Sequence, residues 1–524
     1  MVQISNQRFP GGLVFVLLIL AAGFAGCHGA SPTYELNTDV VVVGGGLAGM
    51  SAAVAAAQNG ASVILVEKQA AVGGASAQSG GGMGATDTSV QKQYGIIDPA
   101  RDWVDLFYSR SAQTPAKYRN KSFPVEQDVR WLVEESANTI DWLLKLGMTF
   151  GRPYGFGVDV AERYHSINNE GYLGGAGVVR FLSEKAEESG VDIRVNAKAV
   201  KVLQENGPGS AVTGVEIDGG SKINAKAVIL AAGGFMSDVN KYLPGVEVVV
   251  WSKPLSTSML GEGIDMAVEA GGALWEDPWA SGVDPEQALT VEGLPAIART
   301  NEGMYVDSSG ARVGVEGGSS SVRGNYPMFA QLDGGKLFAI ISDAHATPSQ
   351  EQLAGGRVFK GSTISELAAN AGIDPVKLAS EVAAYNIIAD AIAALKASSA
   401  PDEAYNGVDP MDIEHAGVVA KSSLIPHDNT RKTYTKIEGS AFYAVELLPN
   451  ISLTFGGVKT KTGTAEVLDK NDLTRVIPGL YAAGENANRN FYDKVYMSGS
   501  STTQAVATGK AAGRTAAAYI YFRK

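Results

Sequence analysis

The sequence predicts an α/β fold on a parallel sheet, from three apolar runs that end in glycine and one long stretch that interrupts them. Asp39-Val40-Val41-Val42-Val43 is short and β-branched, the pattern of a parallel strand buried on both faces. Ala227 to Phe235 is a second buried strand that stops at Gly233-Gly234, and Val476 to Glu485 is a last one with a Gly484-Glu485 end. Residues from about 275 to 450 change character, mixing short loops with helices at Ile364 to Ala371 and Pro375 to Ala391. They read as an inserted domain.

The first strand turns at once into Gly44-Gly45-Gly46-Leu47-Ala48-Gly49, a G-x-G-x-x-G. An alanine-rich helix former, Met50 to Gln58, and a second strand, Ala61 to Val66, follow, ending in Glu67. Gly44 allows the tight turn, Gly46 lets backbone approach a pyrophosphate, and Gly49 lets helix and strand pack closely. The helix start offers N–H groups and a partial positive charge to phosphates. Glu67 is placed to hydrogen-bond a ribose. The glycine pattern alone is weak evidence, but strand, fingerprint, helix, strand and terminal acid together point to a dinucleotide site.

The 524 residues are 45% hydrophobic and 19% charged, enough to bury a large core divided between two domains. A formal charge of -12 argues against nucleic acid or an anionic membrane surface as the main partner and reads as ordinary solubility. Arg8 and the apolar run Leu13 to Ala22, too short to span a bilayer comfortably, read as a targeting segment. It ends in Phe24-Ala25-Gly26-Cys27, similar to a bacterial lipoprotein processing box, so residues 1–27 are expected to be a signal peptide with lipidation at Cys27. Cys27 is the single cysteine, which leaves no internal disulfide, Fe–S site or haem attachment, and no metal site is expected.

Along the chain, residues 28–35 read as a tether. Val72 to Met83 is so rich in glycine that it suggests backbone lying flat against a planar ring. Asp98 to Leu146 is helical in pattern, and Gly174 opens a helix that closes near Ser189-Gly190. Residues 191–203 and 211–217 alternate like paired strands, and Gln504 to Tyr519 is a small-residue helix suited to packing close to the last strand.

Taken together, VVVGGGLAGMSAA (41–53), VGGASAQSGGGM (72–83), AVILAAGGF (227–235), GEGIDMAVEAGG (261–272), TFGGV (454–458) and PGLYAAGE (478–485) resemble the flavoproteins of the fumarate reductase and succinate dehydrogenase superfamily. Soluble fumarate reductases are the nearest in pattern, with urocanate reductases and 3-ketosteroid dehydrogenases as relatives. The resemblance implies a discontinuous Rossmann-like FAD-binding domain, residues 36–274 and 451–524, and an α+β capping domain, residues 275–450. It implies FAD held by Gly44, Gly46, Gly49, Glu67, Gly74, Ser79, Gly80, Gly81, Ala232, Gly233, Gly484, Glu485, Ser500 and Ser501. Ala77 to Gly82 contains no histidine, so the FAD is expected to be non-covalent.

Members of this superfamily pass a hydride from flavin to one carbon of a C=C bond beside a carbonyl, while a side chain protonates the other. The resemblance assigns that proton to Arg323 and matches Arg299 to a relaying arginine. Ala296 stands where the relay's acid is expected, leaving Arg312 and Glu316 as nearby polar candidates. The plain alternative for Arg323 is an ordinary anion partner, since a guanidinium normally keeps its proton.

The fumarate-binding groups are missing. Ser452-Leu453 precede Thr454-Phe455-Gly456-Gly457 in place of a histidine, no histidine lies between Leu274 and Arg299, and Tyr496 occupies the place of the carboxylate-clamping arginine. Burying a dicarboxylate without paired charges costs several kcal/mol, so fumarate is not the expected substrate. Tyr496 matches a tyrosine that polarises a ketone in 3-ketosteroid dehydrogenases, a role in which a phenol stabilises developing enolate charge. Arg489 and Lys494 are placed to bind a single carboxylate, with Tyr164 and His165 weaker candidates.

The expectation is an exported, membrane-anchored or periplasmic reductase of an enoate or enone, supplied by a separate electron donor such as a cytochrome or quinol-linked protein. The alternatives are a 3-ketosteroid-type dehydrogenase running in reverse and a non-catalytic FAD lipoprotein.

Overall fold

The computed structural model describes residues 33–112, 119–156, 159–243, 253–254, 257–281, 303–312, 336–345, 347–397, 435–447, 450–451, 453–497 and 499–522. Cys27, Arg299, Glu316 and Arg323 lie outside them.

Strand β1, Val40–Val43, has all four valines buried, each worth about 1.5 to 3 kcal/mol removed from water. Helix α1, Leu47–Gln58, starts three residues before Met50, because Gly46 in extended conformation is its N-cap. β2 is Val63–Val66. Part of the glycine-rich stretch after it is helical rather than flat, as α2, Gly74–Gln78. The region from Asp98 to Leu146 is not continuous: it holds α3, Ala100–Ala112, and α4, Glu126–Lys145, with Pro124 unable to extend α4 backwards. α5, Gly174–Glu188, ends at Ser189 as the sequence indicates.

Residues 191–203 divide between two sheets. β3, Asp192–Arg194, joins β2, whereas β4, Ala199–Gln204, pairs with β5, Val212–Ile217. Asn196 turns the chain between them at φ 53, a left-handed conformation asparagine tolerates. β6, Ser221–Asn224, and β7, Ala227–Leu230, follow.

Beyond helix α6, Glu262–Glu269, and strand β8, Trp279–Ser281, comes a separate four-stranded antiparallel sheet. Its strands are β9, Met304–Asp307, β10, Leu337–Ser342, β11, Val358–Gly361, and later β12, Phe442–Leu447. Between β11 and β12 run α7, Ile364–Ala371, and α8, Pro375–Ala397. Alternation along β9 and β10 sends Met304, Val306, Phe338 and Ile340 onto Leu367, Leu378 and Tyr385 of the helices. Tyr305, Ala339 and Ile341 face the other way, into a core shared with Trp103, Phe235, Trp279, Phe455 and Tyr492.

The chain then returns through β13, Leu453–Phe455, which pairs antiparallel with β8. β14, Glu466–Asp469, β15, Asp472–Ala482, and α9, Ser500–Phe522, complete the fold. The main sheet runs β14-β15-β7-β1-β2-β3, parallel except for edge strand β14. Strands from both parts of the chain therefore build one sheet. The small residues of α9 bring it against α1: a Cβ at Gly509 would lie 2.1 Å from the Ala48 carbonyl oxygen, and one at Gly513 2.2 Å from that of Ala52. Among the described residues no helix is long and apolar enough to cross a membrane.

Candidate active site

A cleft with about 910 Å³ of free space opens at the carboxyl ends of β1, β7 and β15, where open parallel sheets bind ligands. Gly44, at φ +105, turns beneath it, and a Cβ there would stand 2.4 Å from the Ala231 carbonyl oxygen. Gly49 lies outside the cleft and holds α1 against the turn, with room of only 1.9 Å between a built Cβ and the Gly44 oxygen. The N-terminus of α1 faces the cleft with no acid in its first turn and no side-chain cap on Gly46. Leu47 N–H donates to Ser76 Oγ at 3.2 Å. The N-terminus of α9 contributes Ser501 and Thr502 to the opposite wall.

Glu67 sits at the cleft edge beyond β2. Its two oxygens accept from the backbone N–H groups of Gly45 and Gln69, each at 2.8 Å. Lys68 beside it pairs with Glu262, which also holds Lys198 at 3.0 Å. Two helix N-termini, a bare glycine backbone and a carboxylate at the far end suit an extended dinucleotide with a central pyrophosphate.

Of the residues expected to hold the cofactor, Gly44, Gly46, Glu67, Gly74, Ser79, Ala232, Gly233, Gly484, Glu485 and Ser501 line this cleft. Gly81 instead meets α5, where a Cβ would fall 2.3 Å from Gly174, and Gly80 stands just outside the wall. Ser500 is turned away, donating to the Met497 carbonyl at 2.5 Å and sharing a hydrogen bond with Tyr492 Oη at 2.8 Å.

Sequence reasoning missed the polar frame behind the wall. Asn486 accepts from Ala232 N–H at 2.7 Å and donates to the Gly233 carbonyl at 2.8 Å, tying β7's turn to β15's. Asn488 does the same for Gly456 and Thr454. Their spacing, Asn-x-Asn directly after a buried strand, was the available signal. Thr454 donates to Glu485 Oε2 through both Oγ1, at 2.8 Å, and its backbone N–H, at 3.1 Å. Burial lifts the Glu485 carboxyl to about 7, held back in part by those two bonds.

Aromatic side chains pack in the core that Leu453 of the cleft lining shares. Phe455 stacks on Tyr492 with ring centroids 4.5 Å apart, and Tyr496 lies 6.1 Å further along. Tyr496 Oη shares a hydrogen bond of 2.9 Å with Ser501 Oγ, and burial raises its pKa. Trp279 faces Phe455 across the β8–β13 pair.

Arg489 and Lys494, read from sequence as carboxylate binders, are already engaged. Both reach Asp277 Oδ2, at 3.0 and 2.5 Å, and Asn120 donates to the same oxygen at 3.0 Å. Burial lowers Arg489 to about 10, offset by Asp277 and Asp493, so it is charged at neutral pH. His165 is fully buried between Thr88 Oγ1 and the Arg163 carbonyl, and burial holds it down at about 4, a neutral structural residue. The Tyr164 ring packs between Gly82 and Gly499. Arg312 lies over the Tyr385 ring at 5.4 Å, in the second core rather than at the cleft.

Residues 39–502 match the family described as FAD binding domain. A probable fumarate reductase of Shewanella frigidimarina is 29% identical over 461 residues, covering 83% of this chain and 67% of its own. A urocanate reductase of Eggerthella lenta is 28% identical, over 74% of this chain and 61% of its own. A 3-oxosteroid 1-dehydrogenase of Mycobacterium tuberculosis is 25% identical, over 57% and 55%. In fold, the chain is similar to a 3-ketosteroid delta1-dehydrogenase from Sterolibacterium denitrificans, with TM-score 0.71, 18% identity and coverage of 92% and 99%. A flavocytochrome c3 fumarate reductase gives TM-score 0.64, 24% identity and coverage of 93% and 79%.

Proposed function

The chain belongs to the FAD binding domain family and is an FAD-dependent oxidoreductase of the fumarate reductase superfamily acting on CH–CH groups; from that premise we propose that it reduces a C=C bond conjugated to a single carbonyl, an enone or enoate rather than fumarate. The observation that carries this reading is the pairing of charges beside the cleft. Arg489 and Lys494 share Asp277, which leaves no unpaired cation among them for a second substrate carboxylate, whereas Tyr496 is hydrogen-bonded to Ser501 of the cleft lining.

When bound, FAD supplies the hydride. Tyr496 orients and polarises the substrate carbonyl through its hydroxyl, whose raised pKa keeps it a donor. Arg323, relayed by Arg299, delivers the proton to the other carbon. Phe455, Tyr492 and Trp279 form the buried aromatic core against which Tyr496 packs. In this reading the FAD domain comprises residues 36–274 and 451–524 and the cap residues 275–450, which the separate β9–β12 sheet supports. The FAD is held without a covalent bond. The protein is exported, processed at Cys27 and lipid-anchored, and a cytochrome or quinol-linked protein supplies its electrons.

The direction of electron flow tests this. With FAD reduced by dithionite, enones and enoates restore the oxidised flavin spectrum. Bleaching of oxidised flavin by 3-ketosteroids, with no reoxidation by enones, overturns the proposal in favour of the dehydrogenase reading that Tyr496 alone also suits.

A further inference from the structure

Two carboxylates line the cleft, and they are held differently. Glu67 has both oxygens occupied by backbone N–H donors. Glu485 has both of its donated hydrogen bonds, from Thr454, on Oε2 alone. It is half-buried and forms part of the cleft lining with Ala232, Gly233 and Leu453. The site is built to fit it: a Cβ at Gly234 would stand 1.9 Å from Thr454 Oγ1 and 2.4 Å from Glu485 Oε2, so only glycine leaves room. Thr454 is itself fixed, accepting from Phe235 N–H at 3.1 Å.

The ionisable groups that sense Glu485 among the described residues are Tyr492 and Tyr496, on the segment leading to α9; burial raises both phenols, and the Glu485 charge adds to it. The cations nearby in sequence, Arg489 and Lys494, are bound by Asp277. Among the described residues β13 brings Thr454 to it, and no charged side chain contributes to its shift. Its own protonation can therefore offset charge that enters the cleft, beside the partial positive charge of the two helix N-termini.

We propose that Glu485 is a redox-linked proton acceptor: it takes up one proton from solvent when FAD bound in the cleft is reduced, and releases it on reoxidation. The inference rests on FAD binding but not on the choice of substrate. The balance is as follows. Two electrons from an external reductant and one proton enter the oxidised flavin, leaving it with one negative charge; a second proton converts the Glu485 carboxylate to the neutral acid. Burial, which places the free carboxyl at about 7, sets the window. Below that pH Glu485 is already protonated and adds nothing. Above it the residue contributes until the pH passes its higher value beside the reduced flavin.

The test needs no substrate. The midpoint potential of the bound FAD is measured from pH 6 to 9 in the holoprotein and in Glu485→Gln, with dithionite as reductant. Each linked proton changes the two-electron equilibrium tenfold per pH unit, about 30 mV. Above pH 7 the wild-type potential should fall about 30 mV per unit more steeply than that of the variant, the two converging below pH 7. Parallel lines at all pH values overturn the proposal. If Glu485→Gln does not hold FAD, Thr454→Val serves. Removing the hydroxyl that favours the charged form should move the wild-type break to higher pH, and an unmoved break counts against the proposal. Enone reactivity lost with the proton linkage intact would instead indict the substrate reading.

Discussion

Arg489 Nη2 lies 3.0 Å from Asp277 Oδ2, and the same oxygen takes Lys494 Nζ at 2.5 Å. Both cations have nearly no exposure, while Asp277 is partly open and stands at φ 55, a left-handed backbone that aspartate accepts better than most residues. One carboxylate thereby joins the loop after β15 to the strand β8 that leads away from the main sheet. The Arg489 guanidinium also lies 3.6 Å from the Phe123 ring centroid and Lys494 4.7 Å from that of Trp279. This cluster is a tether, not a vacant substrate clamp.

Asp277→Asn should therefore destabilise the protein by about 3 kcal/mol, since it removes the carboxylate that two buried cations share and leaves them Asp493 alone among the described anions; urea unfolding monitored by tryptophan fluorescence checks this. Burial favours the neutral acid, but the hydrogen bonds of Lys494 and Asn120 outweigh it and hold the carboxyl below its ordinary value. The stability it contributes is present above the unfolded aspartate range and is lost as the pH falls through its lowered folded pKa.

Gly49→Ala should cost about 3 kcal/mol or more, because the new methyl meets the Gly44 oxygen at 1.9 Å and neither backbone segment can move without opening the turn. The purified variant should be pale, with its 450 nm flavin absorbance lost in proportion.

His165 gives a pH signature of its own. Its folded pKa of about 4 lies below the ordinary imidazole value of 6.5, so the unfolded chain binds the proton first as the pH falls. Stability should decline between pH 6.5 and 4 by on the order of 3 kcal/mol. His165→Gln should flatten unfolding free energy measured across that window.

Tyr496→Phe should leave flavin content unchanged and lower kcat roughly 10²- to 10³-fold, the loss typical of one donor to a developing oxyanion. Arg323→Ala should abolish turnover with flavin still bound. Stopped-flow reoxidation of the dithionite-reduced proteins separates the two effects from binding.

The centre of the main sheet was legible because β1, β7 and the buried end of β15 are apolar runs that lead into glycine, a pattern set by burial on both faces. The cleft walls at 44–46, 232–233 and 484–485 followed from the same turns. The polar frame was not legible. Beyond the bare Asn-x-Asn spacing of Asn486 and Asn488 nothing in the sequence marks it, and only the meeting of three strand ends shows that they and Thr454 satisfy the neighbouring backbone. Arg489 and Lys494 misled for a related reason: a buried cation looks free until its partner, more than two hundred residues away at Asp277, is brought beside it. The division of residues 191–203 was hidden because a single left-handed asparagine, Asn196, redirects the chain.

The central claim is that the cleft serves one carbonyl and not two carboxylates. The most direct measurement is the rate at which the dithionite-reduced holoprotein is reoxidised by cyclohex-2-enone and by fumarate, followed at 450 nm under anaerobic conditions. The charge pairing at Asp277 predicts that the enone reoxidises the flavin at least tenfold faster than fumarate. Faster reoxidation by fumarate would contradict it.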